Sequence, residues 1–261
     1  MDLQLENKIV VVTGGSKGIG YAISHVLAKE GAIPFIISRD ESSILQISEE
    51  IKKKGGECGH ALTELTDSKQ VEAAVKSAVS TYGTVHGLVN NAGVNDSVGL
   101  ENGNEEDFVN SLKKNVVHYY TMTQACLPFL KENKGAIVNI GSKVSMTGQG
   151  GTSGYAAACG GRNALTREWA VELLPYSVRV NALMVAESLT PLYEKWISSF
   201  LNPKEKLNQI ESKIPLEKRM TTPEEIANTV AFLLSEKSSH TTGQLVYVDG
   251  GYTHLDRSLN S

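Results

Sequence analysis

The chain has 261 residues, of which 41% are hydrophobic, enough to bury a sizeable core in one large α/β domain. A formal charge of -4, with no basic cluster beyond Lys52-Lys53-Lys54 at a helix end, argues against a general nucleic-acid or anionic-membrane binder. The cysteines Cys58, Cys126 and Cys159 have neither disulfide-framework nor metal-ligand spacing, Met1 to Glu6 lacks a signal-peptide pattern, and no apolar run reaches spanning length; a soluble cytoplasmic protein without a metal site is expected.

Lys8 to Thr13 is an apolar, β-branched run, the pattern of a strand buried on both faces of a parallel sheet. It runs into Gly14-Gly15-Ser16-Lys17-Gly18-Ile19-Gly20, and helical periodicity follows from Tyr21 to Lys29. Strand, glycine-rich turn and helix together suit a pyrophosphate, because glycines let the backbone approach it and the helix N-terminus stabilises its charge. The second strand, Ile33 to Ile37, ends at Ser38-Arg39-Asp40. An arginine there welcomes a ribose 2′-phosphate and favours NADP over NAD, although Asp40 blunts the local charge. A helix from Ser42 to Lys54 leads to a third strand, Glu57 to Leu62, and to the turn Thr63-Glu64-Leu65-Thr66-Asp67, which suits adenine contacts, with Thr66 or Asp67 capping the next helix.

Helix Ser68 to Tyr82, strand Val85 to Val89 and the small-residue turn Asn90-Asn91-Ala92-Gly93 come next. Asn115 falls inside an amphipathic helix expected from Glu105 to Leu130, where an amide is either a satisfied buried group or a water-holding functional one. Strand Ala136 to Ile140 presents Ser142 at its C-terminal end, the ligand side of an open parallel sheet. A glycine-rich loop containing Gln149 leads to Tyr155, which opens a helix running through Leu174. After strand Arg179 to Met184, residues 185–219 are too long for a simple connection. Leu192, Tyr193, Trp196, Ile197 and Phe200 give that segment an apolar face, fit for a substrate lid or for a structural or subunit contact. Thr222-Pro223-Glu224-Glu225 starts the last helix, and Gln244 to Asp249 reads as the last strand. Strands alternate with helices throughout, so residues 1–261 are expected to form a single doubly wound Rossmann-type α/β domain.

These motifs together resemble the short-chain dehydrogenase/reductase family, over almost the whole chain. Gly14, Ser16, Lys17, Gly18, Ile19 and Gly20 are similar to its cofactor loop, and Asn91, Ala92 and Gly93 to its stabilising turn. Asn115, Ser142 and Tyr155 match three of its four catalytic positions. The resemblance implies NADP or NAD contacts at these loops, at Ser38, Arg39, Glu64, Leu65 and Tyr155, and at Val185, Ser188 and Thr190. It implies substrate contacts at Ser142, Gln149, Tyr155, Glu187, Tyr193 and Trp196. Thr190 to Trp196 is similar to L-fucose and related sugar or steroid alcohol dehydrogenases, so a secondary alcohol, ketone or sugar is the implied substrate. The alternative is a 3-oxoacyl-thioester reductase. Relatives of this kind are commonly tetramers.

Two departures stand out. Where the family has Pro-Gly after the sixth strand, this chain has Val185-Ala186-Glu187; Glu187 either accepts bonds from a polyol or faces solvent. The larger one is Tyr155-Ala156-Ala157-Ala158-Cys159, in which a thiol stands at the fourth catalytic position, where the family has a lysine. The resemblance implies that this lysine holds the nicotinamide ribose and makes the tyrosine more acidic. A cation some 5 Å away at an effective dielectric near 20 contributes on the order of 3 kcal/mol, about two pKa units. Turnover impaired by roughly a hundredfold or more is therefore expected. Cys159 has three readings: an engineered, disabled form of an ordinary enzyme, a nucleotide-binding pseudoenzyme, and a thiol chemistry for which no base is evident. Arg162 borders the same helical face, where its charge would partly compensate, although nothing in the sequence aims it at the ribose.

Overall fold

In the computed structural model, which describes residues 1–255, the apolar runs form seven strands. They are β1 (Ile9–Thr13), β2 (Ile33–Ser38), β3 (Gly59–Leu62), β4 (Gly87–Asn90), β5 (Ala136–Ser142), β6 (Arg179–Val185) and β7 (Leu245–Val248). All pair in parallel in one sheet, ordered β3-β2-β1-β4-β5-β6-β7. Strand order reverses beside β1, so the crevice between the ends of β1 and β4 is the switch point where ligands bind in such sheets.

Helices cover both faces. Alternation along the strands sends Val10, Val12, Val138 and Leu183 to one face, against Ile23 and Leu27 of α1 (Gly18–Lys29) and Ile226 and Val230 of the C-terminal helix Pro223–Leu234. Val11, Leu88, Ile137 and Val180 go to the other. There they meet Val71 and Val75 of the helix Ser68–Tyr82, and Met122, Leu130 and Trp169 of two further helices described below. The central strands are buried on both sides, which is why their sequences read as near-continuous apolar runs rather than alternating ones. The α2 helix (Glu41–Lys53) is capped by Asp40, α3 (Ser68–Tyr82) by Asp67, and the Pro223–Leu234 helix by a reciprocal Thr222–Glu225 capping box.

Two expectations need correction. The single helix expected from Glu105 to Leu130 is two helices, α4 (Glu105–Leu112) and α5 (His118–Glu132), joined by a π turn at Lys113–Val117. The wider turn shifts the phase of one helix relative to the other, and Asn115 lies within it, fully buried. Strand β5 extends to Ser142, two residues past its expected end, because it stays paired with β6 through Ser142 and Val185. Tyr155 is the third residue of α6 (Ser153–Glu172). Residues 185–219 hold two short helices, α7 (Pro191–Ile197) and α8 (Pro203–Glu211), and the Pro223–Leu234 helix is α9. No helix among the described residues is long and apolar enough to cross a membrane, and none of their His, Cys, Asp and Glu side chains cluster as a metal site.

Candidate active site

The glycine loop is held in shape from the neighbouring strand. Asn91 Nδ2 donates to the carbonyls of Thr13 (2.9 Å) and Gly14 (3.3 Å), while the amides of Asn91 and Ala92 donate to Thr13 Oγ1. Gly18 has φ +54°, and a side chain at Gly20 would place Cβ 2.1 Å from the Gly14 carbonyl oxygen. Lys17 provides no side-chain cap for α1, which leaves the first amides of the helix available to an anion. Across the crevice, the Thr190 side chain lies 3.3 Å from the Cβ position of Gly18, and the buried Ser188 hydroxyl has no hydrogen-bond partner. A flat crevice of free amides, small residues and an unpartnered buried hydroxyl fits a dinucleotide pyrophosphate. Ile19 and Val185 pack into the core cluster beneath it.

At the end of β2 the Ser43 hydroxyl donates to Ser16, and the Ser16 hydroxyl in turn donates to Ser38 (2.8 Å each). Lys17 pairs with Asp40, and Arg39 with Glu64 at 3.1 Å. Both cations are exposed, so they can swing from these carboxylates to a phosphate at small cost. Leu65 is half-buried against the core, beside Glu64.

Ser142, Tyr155, Cys159 and Asn115 converge beyond the end of β5. The Ser142 hydroxyl accepts from the Val144 amide (3.3 Å), and Ser145 ties to the Ser142 carbonyl at 2.8 Å, fixing the start of the loop. The Tyr155 phenol lies against Ser142 and Cys159, and its pKa is pushed up to about 12. Burial is the main cause and the Cys159 thiol adds to it, whereas Arg162 and Ser142 pull the other way. Burial also raises the Cys159 thiol, which is wholly enclosed and therefore stays protonated at neutral pH.

The Arg162 side chain, placed by sequence on the helical face of Cys159, turns into this cluster. Nε donates to the Asn115 carbonyl at 2.5 Å, one terminal nitrogen to the Ile140 carbonyl at 3.3 Å and the other to Asn115 Oδ1 at 3.4 Å. Its guanidinium carbon stands 4.4 Å from the Tyr119 ring centre and 5.6 Å from that of Tyr155. Asn115 is thus held from several sides: Oδ1 also accepts from the Val94 amide and Nδ2 donates to the Ser111 carbonyl. Gly93 is needed here, since a Cβ would sit 3.0 Å from both Arg162 and Asn115 Oδ1. His118, next to Tyr119, is driven down to about 3 by burial and by the charge of Arg162, and so is neutral.

Beside Ser142, sequence reasoning overlooked Lys143. Its ammonium pairs with Glu187, and Tyr193 donates to the other Glu187 oxygen at 2.7 Å. Both members of the ion pair are only 13% exposed, and Lys143 also lies 3.9 Å above the Tyr252 ring. Glu187 therefore does not face bulk solvent. Trp196 stacks edge-on with Tyr193 and Phe200 but is 46% exposed, and Gln149 is on the surface. The only hint of Lys143 in the sequence was its place directly after Ser142.

Residues 14–253 match the family model described as enoyl-(acyl carrier protein) reductase. The 3-oxoacyl-[acyl-carrier-protein] reductase FabG of Thermotoga maritima is 33% identical over 250 residues, covering 95% of this chain and 99% of that one. Among solved structures, the Cj0485 dehydrogenase superposes with a TM-score of 0.94 at 48% identity, covering 99% of this chain and 98% of that one. The ligand-free aldohexose dehydrogenase of Thermoplasma acidophilum has a TM-score of 0.88 at 28% identity, with 97% of each chain covered.

Proposed function

Because the chain belongs to the short-chain dehydrogenase/reductase family, we propose that it interconverts a secondary alcohol and a ketone, the alcohol being a sugar carbinol of the L-fucose type, with NADP(H) ahead of NAD(H). Ser142 and Tyr155 carry this reading, since two hydroxyl groups meet at the C-terminal end of β5, beside the crevice that fits a dinucleotide. Bound nicotinamide supplies or takes up the hydride. The Ser142 hydroxyl orients the substrate oxygen, and the Tyr155 phenol gives it a proton or takes one from it. Asn115 acts by holding the loop that follows β4, at Val94, and the π turn in place.

The sugar preference rests on Lys143, Glu187 and Tyr193, a compact set of donors and acceptors that matches vicinal hydroxyls and offers an aliphatic chain nothing to bind. The likeness to a sugar dehydrogenase of known structure supports it. The preference for NADP rests on Lys17 and Arg39, two exposed cations beside the Ser16–Ser38–Ser43 hydroxyls. The whole chain would act as one catalytic unit in the cytoplasm, with residues 185–219 as the lid. A tetramer would form through the exposed Val109, Val117 and Tyr120 on and around α4 and α5. A Tyr155 phenol near 12 makes a poor base, so turnover is expected to be slow.

One other reading has its own support: the similarity to FabG favours a 3-oxoacyl thioester as substrate. Assaying free sugars, cyclic alcohols and a 3-oxoacyl thioester with both cofactors, on the native protein and on Cys159→Lys, separates the two. Sugar oxidation by either protein supports the proposal. Reduction of the thioester alone replaces it, and nucleotide binding without turnover in both proteins identifies a pseudoenzyme.

A further inference from the structure

Arg162 lies seven residues after Tyr155 and three after Cys159, so all three share one face of α6. The guanidinium is buried, 3% exposed, and no carboxylate among the described residues pairs with it. Burying a charge without a counter-charge is costly, and an apolar side chain of similar size could fill the space. Three oxygens, two of them main-chain carbonyls, hold it instead at a fixed depth beneath the tyrosine ring.

Every group around it is neutral at physiological pH. Tyr119 and His118 face it from α5, the Ile140 carbonyl from β5, Asn115 from the π turn, and Tyr155 and Cys159 from its own helix. Tyr119 is fully buried with its hydroxyl donating to the Ile140 carbonyl at 3.1 Å, and burial raises its pKa. A fixed cation in a dry, neutral setting has its strongest influence on the one neighbour that must change charge.

We propose that Arg162 is a positioning residue that provides Tyr155 with a positive charge from below, in the absence of any charge at residue 159, while its contacts to the main-chain and side-chain oxygens of Asn115 lock the π turn. The inference rests on Tyr155 being the proton-transfer group. Arg162 touches neither substrate nor dinucleotide in this role and acts through the tyrosine. At 5.6 Å and an effective dielectric of about 20, the charge lowers the phenol by about two pKa units, a hundredfold change in its acid constant.

The test is a titration that needs no cofactor or substrate, so it remains informative even if the dehydrogenase reading fails. A fluorinated tyrosine, whose phenol titrates well below that of tyrosine, is incorporated at position 155, and its ionisation is followed by ultraviolet absorbance. The measurement is made in protein with Arg162 intact and in Arg162→Lys, Arg162→Gln and Arg162→Met. The neutral Gln and Met variants should raise the phenol pKa by about two units, and Lys should restore most of the difference. A shift below about half a unit in a folded neutral variant overturns the proposal. So does failure of both neutral variants to fold, because the guanidinium would then be a structural clasp.

Discussion

Replacing Cys159 with lysine tests the electrostatics of the site most directly. With the Tyr155 phenol near 12, only about one molecule in a hundred thousand carries the tyrosinate at pH 7. A lysine ammonium about 5 Å away at an effective dielectric of about 20 favours the anion by roughly 3 kcal/mol, raising that population about a hundredfold. Two effects oppose it. The Cys159 site is fully buried, so the ammonium loses hydration, and the buried Arg162 three residues along on the same helical face repels it. The net expectation is a gain in kcat for alcohol oxidation of about ten- to a hundredfold. The pH profile carries the diagnostic sign. Because the phenol is raised, its base form grows tenfold per pH unit below the pKa, so log kcat should climb with unit slope through the neutral range. In Cys159→Lys the same climb should begin about one to two units lower. Equal kcat in the two proteins together with an unmoved profile would refute the reasoning.

Gly20→Ala should push the Gly14 carbonyl out of place and weaken dinucleotide binding at least about tenfold, as read by nucleotide titration, with the fold intact by circular dichroism. Glu187→Gln removes the partner of a poorly solvated lysine and should raise KM for polyhydroxylated substrates by about tenfold or more, with a much smaller effect on a simple cyclic alcohol; equal effects on both would count against a polyol subsite. Arg39→Ala should cut the preference for NADP over NAD by about tenfold, measured as a ratio of kcat/KM values. Thr222→Ala removes the N-cap of α9 and should lower unfolding stability by about 1 kcal/mol in urea, with cofactor affinity unchanged.

The parallel sheet was legible because a strand covered on both faces is built from a near-continuous apolar run, as Ile9 to Val12 and Ile33 to Ile37 are. The glycine loop was legible because Gly20 has no room for a side chain. The π turn was not. One added residue leaves an amphipathic pattern intact on either side, so the segment from Glu105 to Leu130 reads as one helix although its two halves are differently phased. Helical spacing put Arg162 on the face of Cys159, yet its aim depends on the Asn115 and Ile140 carbonyls, which lie 47 and 22 residues away in the chain. Lys143 was hidden for a similar reason, since its partner Glu187 is 44 residues away on another strand end.

The contact between Lys143 and Glu187 also has a thermal consequence. It joins the residue after Ser142 to the segment that leads into α7, so moving that segment away parts two charges and lets water hydrate them. Hydration of ions becomes less favourable as temperature rises, and the pair therefore grips harder on warming. Heat that loosens the surrounding apolar contacts leaves this junction comparatively tight, holding the strand end and the loop together when the rest of the segment begins to fray.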